Sequence, residues 1–518
     1  MPCDGEGRKL NPQTTRDERA RRTLTRAQLG EAALWVAVFT ALAHLYRYLT
    51  MGFSHDSMMI VESGNVEGQI GLGRFMQPLY WLVRGYITSP LTIGLFATAF
   101  LIAAAWIILE LTGVRSRPGI ALVCGVLATN ETYACSCASY LPWMDVYMLA
   151  MLLALLGVLL EDRLRRGYWI SPVLYCLSMG LYQSYMQTAA ALVILMLIAR
   201  TLDGERTGDV FAAGVQFCLT ALAGMLLYRL VYPLVIQWTG ATVSQEYNSV
   251  SGAMEISLAQ LPALLGGAYM GPLRHLFDPA ETAFVPAPVN WLLLAALAVT
   301  LGRRARGLGR ARQAMLLFLL AMLPLGMNFV PVISKGIVHM LMNYAYFFFY
   351  VLCLMAYERR EKTARRGERV LRGATALLIS LALTVNIATA NRMYMKRDLE
   401  LSSTLSVMTR VLGEAERTEG YVPGETPVVF FGYLPSSKVS MVRPGFEEIS
   451  AYQGMRSTYA PYYVYANMWY FSMALGYPLN YLDADEIEGA DEIMQRLSQF
   501  PEKGYMQMID GVLFIRLS

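Results

Sequence analysis

The chain has 518 residues, 55% of them hydrophobic and 16% charged, with a mean hydropathy of +0.38. Soluble domains carry roughly 25% charged residues, so the composition argues against an ordinary soluble enzyme, and disorder would need low hydrophobicity with high net charge. A net charge of +4, from 43 Lys and Arg against 39 Asp and Glu, offers nothing a nucleic acid would select.

About 20 mostly apolar residues cross the hydrocarbon layer of a bilayer. The sequence offers eleven such runs, near 29–50, 90–111, 119–133, 143–160, 168–182, 184–201, 210–238, 287–302, 314–333, 336–357 and 370–390. The first is too long for the apolar part of a signal peptide and lacks a small-residue cleavage site. The expected fold is therefore mostly α, a polytopic helical bundle of about eleven membrane helices. A basic tail, 1–28, precedes a membrane domain, 29–390, and 391–518 follows as a separate domain.

The cations sort by connection. Residues 8–26 hold seven Lys and Arg, and segments 111–118, 161–167, 200–209, 303–313 and 357–372 hold two, three, two, five and seven. If the spans alternate, these 26 share one side. The opposite connections hold three: Arg74, Arg274 and Lys335. The positive-inside rule then makes the N-terminus cytoplasmic and the last domain extracytoplasmic. Arg47, Arg84 and Arg229 lie in or beside apolar runs.

Within 391–518, VVFFGYL (428–434) reads as a buried strand, and Asp510-Gly511 between MQMI and VLFIRL as a type I′ hairpin. The acidic stretch 483–498 reads as an amphipathic helix. A small α/β domain is expected.

The polar connections on the cation-poor side are where chemistry would sit. The first, 51–77, carries His55, Asp56, Glu62, Glu67 and Arg74. After it, 78–87 reads as a short interfacial helix, and Thr88-Ser89-Pro90 as a helix start. Asp56 before MMIV reads equally as a helix cap or as a reactive acid, and Glu62 and Glu67 as a solvated face. Asp145 stands at the mouth of the run MLAMLLALLGVLL, as a cap or as a ligand; Glu131 is less well placed. Arg229, inside a span, is a functional candidate, with snorkelling as the alternative. Lys335, His339, Asn328 and Asn343 form a polar group about the turn between the ninth and tenth spans. The seven cysteines leave the redox compartment open. There is no Walker loop, zinc-protease motif, CxxC pair or internal repeat, and the four scattered histidines argue against a His-based metal site.

Transfer from a polyprenyl-phosphate sugar needs a carboxylate to take the acceptor hydroxyl proton and a cation to hold the departing phosphate. Asp56 suits the first task; Arg74, Arg229 or Lys335 suits the second, Arg being favoured by geometry. Three runs also carry a resemblance: HDSMMIVESGNVEGQIGLGRFMQPLYWLVRG, LATNETYACSCASYLPWMDVYMLAMLLA and GLYQSYMQ. Over most of the first 200 residues the chain resembles the bacterial and phage-type O-antigen glucosyltransferases, the glucosyl transferase II family. The resemblance implies a type C glycosyltransferase fold. It implies transfer of a hexose, glucose above all, from a polyprenyl-phosphate donor to a surface polysaccharide or lipid-linked glycan, in the bacterial inner membrane among its lipids.

By that resemblance Asp56 matches the first-loop catalytic acid, Asp145 the second-loop acid and Arg74 the Gly-Arg position. His55, Glu67, Tyr182, Gln183 and His339 are carried as substrate contacts. Where the family often has an acidic pair, this chain has Asp56-Ser57. No metal site is therefore expected from paired carboxylates, and a divalent Mg or Mn is left open. The competing readings are a transporter or flippase of a lipid-linked saccharide, and a structural protein whose last domain binds a cell-wall polymer.

Overall fold

The computed structural model describes residues 23–50, 66–86, 88–243, 257, 259–281, 284–334, 338–358, 366–432, 472 and 474–518. The chain divides into two compact units. The first comprises Met1–Leu45, Gly64–Ala134 and Trp143–Ala388, the second Tyr46–Ser63, Cys135–Pro142 and Thr389–Ser518.

In chain order the helices are α1 (Arg26–Leu49), α2 (Val66–Gly71), α3 (Met76–Arg84), α4 (Pro90–Thr112), α5 (Arg117–Thr129), α6 (Glu131–Ser139), α7 (Met144–Arg163), α8 (Gly167–Tyr182) and α9 (Met186–Leu202). They continue as α10 (Thr207–Thr239), α11 (Leu261–Phe277), α12 (Ala287–Ala305), α13 (Arg310–Met327), the single turn α14 (Val330–Ile333), α15 (Phe348–Glu358) and the long α16 (Arg366–Ala415). Their ends follow local chemistry. Ser89 caps α4 through Thr92 N with Pro90 at the first turn, and Gly113, in the left-handed region, closes it. Ser116 caps α5 in the same way.

Among the described residues, eight segments are long and apolar enough to cross a membrane. The difference from eleven has physical causes. Residues 168–182 and 184–201 fall in one apolar stretch, Gly167–Leu202. Ser171 and Ser178 of α8 donate to Gly157 O and Ala150 O of α7, so α8 runs antiparallel to α7. Arg200, near the end of α9, returns to Asp162 at the end of α7. The chain thus reverses at the turn Gln183–Tyr185, and the stretch is two short passes. Helix α12 loses apolar length to Asn290, Arg303 and Arg304, and Tyr344–Glu358 is shorter still.

Contacts gather the cation-rich connections at one end of this unit. Glu110, ending α4, pairs with Arg163 at 2.7 Å and Arg115 at 3.3 Å, and accepts from Leu24 N at 2.9 Å. Asp162 pairs with Arg163 at 3.2 Å and with Arg200. Glu358 accepts from Ser116 N at 2.6 Å and Ser116 Oγ at 2.7 Å, and Arg312 Nε donates to Glu205 O at 3.1 Å. The turns at 69–75, 183–185 and 340–347 lie at the opposite ends of the same helices.

The second unit carries a four-stranded sheet of β1 (Pro427–Phe431), β2 (Asn480–Tyr481), β3 (Met506–Ile509) and β4 (Val512–Arg516), with the short helix α17 (Ala490–Arg496) between β2 and β3. The strand order is β2-β1-β4-β3, β1 parallel to both neighbours and β3 antiparallel to β4. Strand alternation builds two cores. Val428, Phe430, Leu513 and Ile515 pack with Val407, Met408 and Val411 of α16. On the other face Val429, Phe431 and Phe514 pack with Ala490 and Leu497. Ile509 faces Val512 across Asp510 (φ 48°) and Gly511 (φ 79°), the two left-handed residues of a type I′ turn. The helix expected over 483–498 is interrupted: a single 3-10 turn, Ala484–Glu486, is parted from α17 by Gly489 at φ 76°. Arg47, also in this unit, is 1% exposed and donates to Cys137 O and Thr50 O.

Candidate functional site

His55, Asp56, Glu62 and Lys335 lie outside the described residues. Of the other candidates, the structure brings Arg74, Tyr182 and Gln183 together. The loop joining α2 to α3 is irregular, and Gly73 turns it at φ 83°. Non-helical backbone inside a membrane protein needs every carbonyl satisfied. Here three consecutive ones are taken by side chains: Gly71 O by Tyr232 OH (2.8 Å), Leu72 O by Gln183 Nε2 (3.1 Å) and Gly73 O by Tyr228 OH (2.9 Å). Gln183 Nε2 also donates to Tyr228 OH at 3.0 Å, and Phe75 stacks on Tyr228. On α8, Gly180 admits no Cβ, which would stand 2.8 Å from Met76 and 2.9 Å from Phe75.

This clamped loop fixes Arg74. Its guanidinium lies 4.8 Å over the Tyr182 ring and its NH1 donates to Gln69 Oε1 at 3.0 Å. Its buried Nε has no acceptor among the described residues. An arginine with a fixed plane and spare donors is suited to two oxygens of a phosphate. From Tyr182 an aromatic series runs inward, through Tyr147 (4.7 Å), Tyr185 (5.8 Å from Tyr147) and Tyr344 (5.6 Å from Tyr185). Glu67 is exposed and accepts weakly from Thr242 N at 3.4 Å. Arg229 follows Tyr228 on α10 and is half-buried; His339 is half-buried and precedes the turn Met340–Met342.

Asp145, in the first turn of α7, is wholly buried. Arg84 NH1 reaches both its oxygens, at 2.9 and 3.2 Å, Tyr80 OH donates to Oδ2 at 2.9 Å, and Val146 N donates to Oδ1 at 2.9 Å. The Tyr80 hydroxyl is pushed up strongly, first by burial and then by the Asp145 charge. Arg84 was legible as a cation in an apolar run, but nothing in the sequence ties it to an acid 61 positions away.

Glu131 also has a partner. At the start of α6, its Oε2 accepts from Phe284 N at 2.9 Å and faces His275 Nε2 of α11 at 3.5 Å. Burial works to lower the His275 pKa, while the Glu131 charge and hydrogen bond and the Glu281 charge raise it; the net shift is upward. Nothing in the sequence ties this pair together, since Glu131 opens α6 and His275 lies in the last turn of the distant α11.

Among the described residues no cluster of three His, Cys, Asp or Glu is placed to hold a metal. The family model of Glucosyl transferase GtrII matches residues 45–357, more than half of the chain. That stretch holds Asp56, Arg74, Arg84, Glu131, Asp145, Gln183 and His275, and leaves the sheet outside. No curated protein and no solved structure matches the chain.

Proposed function

The chain belongs to the GtrII glucosyl transferases, and from that premise we propose that it moves glucose from a polyprenyl-phosphate donor to a hydroxyl of a surface glycan or lipid-linked glycan. The acceptor oxygen attacks the anomeric carbon, the bond from that carbon to the phosphate oxygen breaks, and the hydroxyl proton passes to the Asp56 carboxylate. A single displacement inverts the anomeric configuration. The polyprenyl phosphate leaves with an added negative charge, which Arg74 holds.

The observation that carries the reading is the Arg74 loop. Three carbonyls fixed by Tyr232, Gln183 and Tyr228, and an aromatic platform under the guanidinium, hold a cation in place before charge develops. Preorganised donors of this kind are worth about 10²–10³ in rate where they have been removed singly. Arg229 and Lys335 are further cations for the phosphate; His55, Glu67, Tyr182, Gln183 and His339 are candidate contacts for the substrates. Asp145, with both oxygens engaged, serves here by anchoring Arg84 and α3 beside the loop rather than by taking a proton. The arginine-rich end faces the cytoplasm by the positive-inside rule, which sets Arg74 at the outer face of the bacterial inner membrane.

Asp56→Asn tests the base. Membranes containing this variant at wild-type abundance are expected to lose transfer of labelled glucose by a factor of about 10² or more. Wild-type rates in Asp56→Asn would remove Asp56 from the mechanism. Movement of labelled lipid with no glycosidic bond, in the wild type itself, would point instead to a flippase.

A further inference from the structure

The arginine-rich end is not neutralised evenly. Glu110, Asp162 and Glu358 stand among the cations of their connections and pair with them. The connection from α12 to α13 differs: 303–313 reads RRARGLGRARQ, five arginines and no acid. Arg303, Arg306 and Arg310 are exposed, and among the described residues none of these three side chains has an ion-pair or hydrogen-bond partner. Between the same two helices lies a cavity of about 630 Å³. Helix α12 lines it with Leu294, Leu297 and Leu301, and α13 with Leu316, Leu320 and Leu323, a stripe spaced three and four residues apart on each helix. Helices α11 and α15 supply further wall, where Phe277 stands edge-on to Phe349 at 5.5 Å. Among the described residues of the wall, Arg306 and Gln313 alone are polar, and both lie at the arginine-rich end. Gln313 is engaged, donating to Ala305 O at 2.8 Å and Leu308 O at 3.0 Å. One side is open, past Leu317, 67% exposed, and the exposed Ala298.

An apolar groove with unmatched arginines at its mouth fits a ligand with an apolar body and an anionic end. Its volume falls within the roughly 300–1,000 Å³ of small-molecule sites. From Leu294 to Ala305 helix α12 rises about 17 Å, against about 15 Å for one leaflet, half of the roughly 30 Å hydrocarbon layer. Water finds no polar partners on a wall of leucines. A phosphate, by contrast, takes two parallel N–H donors from one guanidinium, and basic pockets between spans on the cytoplasmic side suit anionic headgroups. The positive-inside rule accounts for cations at this end, but not for their gathering, without an acid, at the mouth of an apolar space. We propose that the groove holds an anionic phospholipid of the leaflet on the arginine-rich side, with an acyl chain between α12 and α13 and its phosphate on Arg306, Arg303 and Arg310 standing beside it. The polyprenyl donor is set apart by its own phosphate, which the proposed function places on Arg74 at the opposite end of the helices. The proposal goes beyond the transfer reading and does not depend on it.

The test uses the full-length protein in mild detergent, given an equimolar mixture of phosphatidylglycerol, phosphatidylethanolamine and polyprenyl phosphate, with bound lipid read by native mass spectrometry. Phosphatidylglycerol is expected to stay on the wild type. Arg306→Gln with Arg310→Gln is expected to lower its retention about tenfold or more, and Ala298→Trp, which fills the open side, to lower it as well. Arg366→Gln with Arg369→Gln, at the start of α16, removes the same charge elsewhere and is expected to leave retention unchanged. Equal retention in all of these proteins, or equal loss in the two arginine pairs, overturns the proposal. So does a preference of the wild type for phosphatidylethanolamine or polyprenyl phosphate, which gives the groove to another occupant. The thermal midpoint of the wild type needs no variant: phosphatidylglycerol is expected to raise it by several degrees over the same amount of phosphatidylethanolamine, and equal midpoints overturn the site. Glucose transfer enters none of these readouts, so a protein that keeps the lipid but transfers no hexose leaves the lipid site standing and sinks the transferase mechanism alone.

Discussion

Arg163 and Glu110, at one end of the helical unit, keep 26% and 13% of their side chains exposed, whereas Arg84 and Asp145, at the other, keep 3% and 0%. The first end holds a belt of partly solvated pairs built on Glu110, Asp162 and Glu358. The second holds two enclosed pairs, Asp145 with Arg84 and Glu131 with His275, and a half-buried Arg74 on Tyr182, while Glu67 stands exposed. Solvent screening makes each belt pair weak and replaceable, so its numbers set topology rather than stability. Enclosure makes each of the paired charges at the other end expensive to keep, and an expensive group persists where it holds a structure or meets a ligand.

The contrast can be broken most sharply at the buried pair. Arg84→Ala leaves the Asp145 carboxylate enclosed without its cation, at a cost of about 3–5 kcal/mol. The folded yield in detergent and the thermal midpoint are expected to fall steeply. The double variant Arg84→Met with Asp145→Leu should recover much of both, because no lone charge remains. Equal loss in the single and double variants would contradict the pairing.

Next comes Arg74. Arg74→Ala is expected to lower kcat/KM for glucose transfer by about 10²–10³ with little change in thermal midpoint, and Arg74→Lys to restore part of it. A smaller effect concerns pH. The His275 pKa is raised in the folded protein, so the stability it draws from Glu131 is complete below about pH 6.5, the ordinary value, and is lost as pH rises through the raised one. The thermal midpoint of the wild type should therefore exceed that of Glu131→Gln most clearly on the acid side of neutrality, the gap closing in alkali. Smallest is the belt: Arg163→Ala should cost less than about 1 kcal/mol and leave transfer near the wild-type rate.

The features that the sequence displayed plainly are those set by near neighbours. Thr88-Ser89-Pro90 starts α4, Asp510-Gly511 makes a type I′ turn, and the arginine-rich connections meet at one end. Each depends on a dipeptide or on charge counted along the chain. Features set by distant partners were hidden. Arg84 meets Asp145 across 61 positions, and Glu131 meets His275 through the fold alone. Gly180 opens the run GLYQSYMQ, but nothing in the sequence ties it to Phe75 and Met76, whose approach demands it. The reversal at Gln183–Tyr185 was marked in sequence only by a short polar interruption, and the Arg200–Asp162 pair is what shows two passes there.

The central claim is that glucose leaves a polyprenyl phosphate and forms a glycosidic bond at the end away from the arginine belt. Purified protein in liposomes, given polyprenyl-phosphate [14C]glucose and an acceptor glycan, tests it directly. Label is predicted to appear in the glycan as one added hexose of inverted configuration, with Arg74→Ala strongly impaired and Arg163→Ala active. Retained configuration, or transfer that survives Arg74→Ala and fails in Arg163→Ala, would contradict the account.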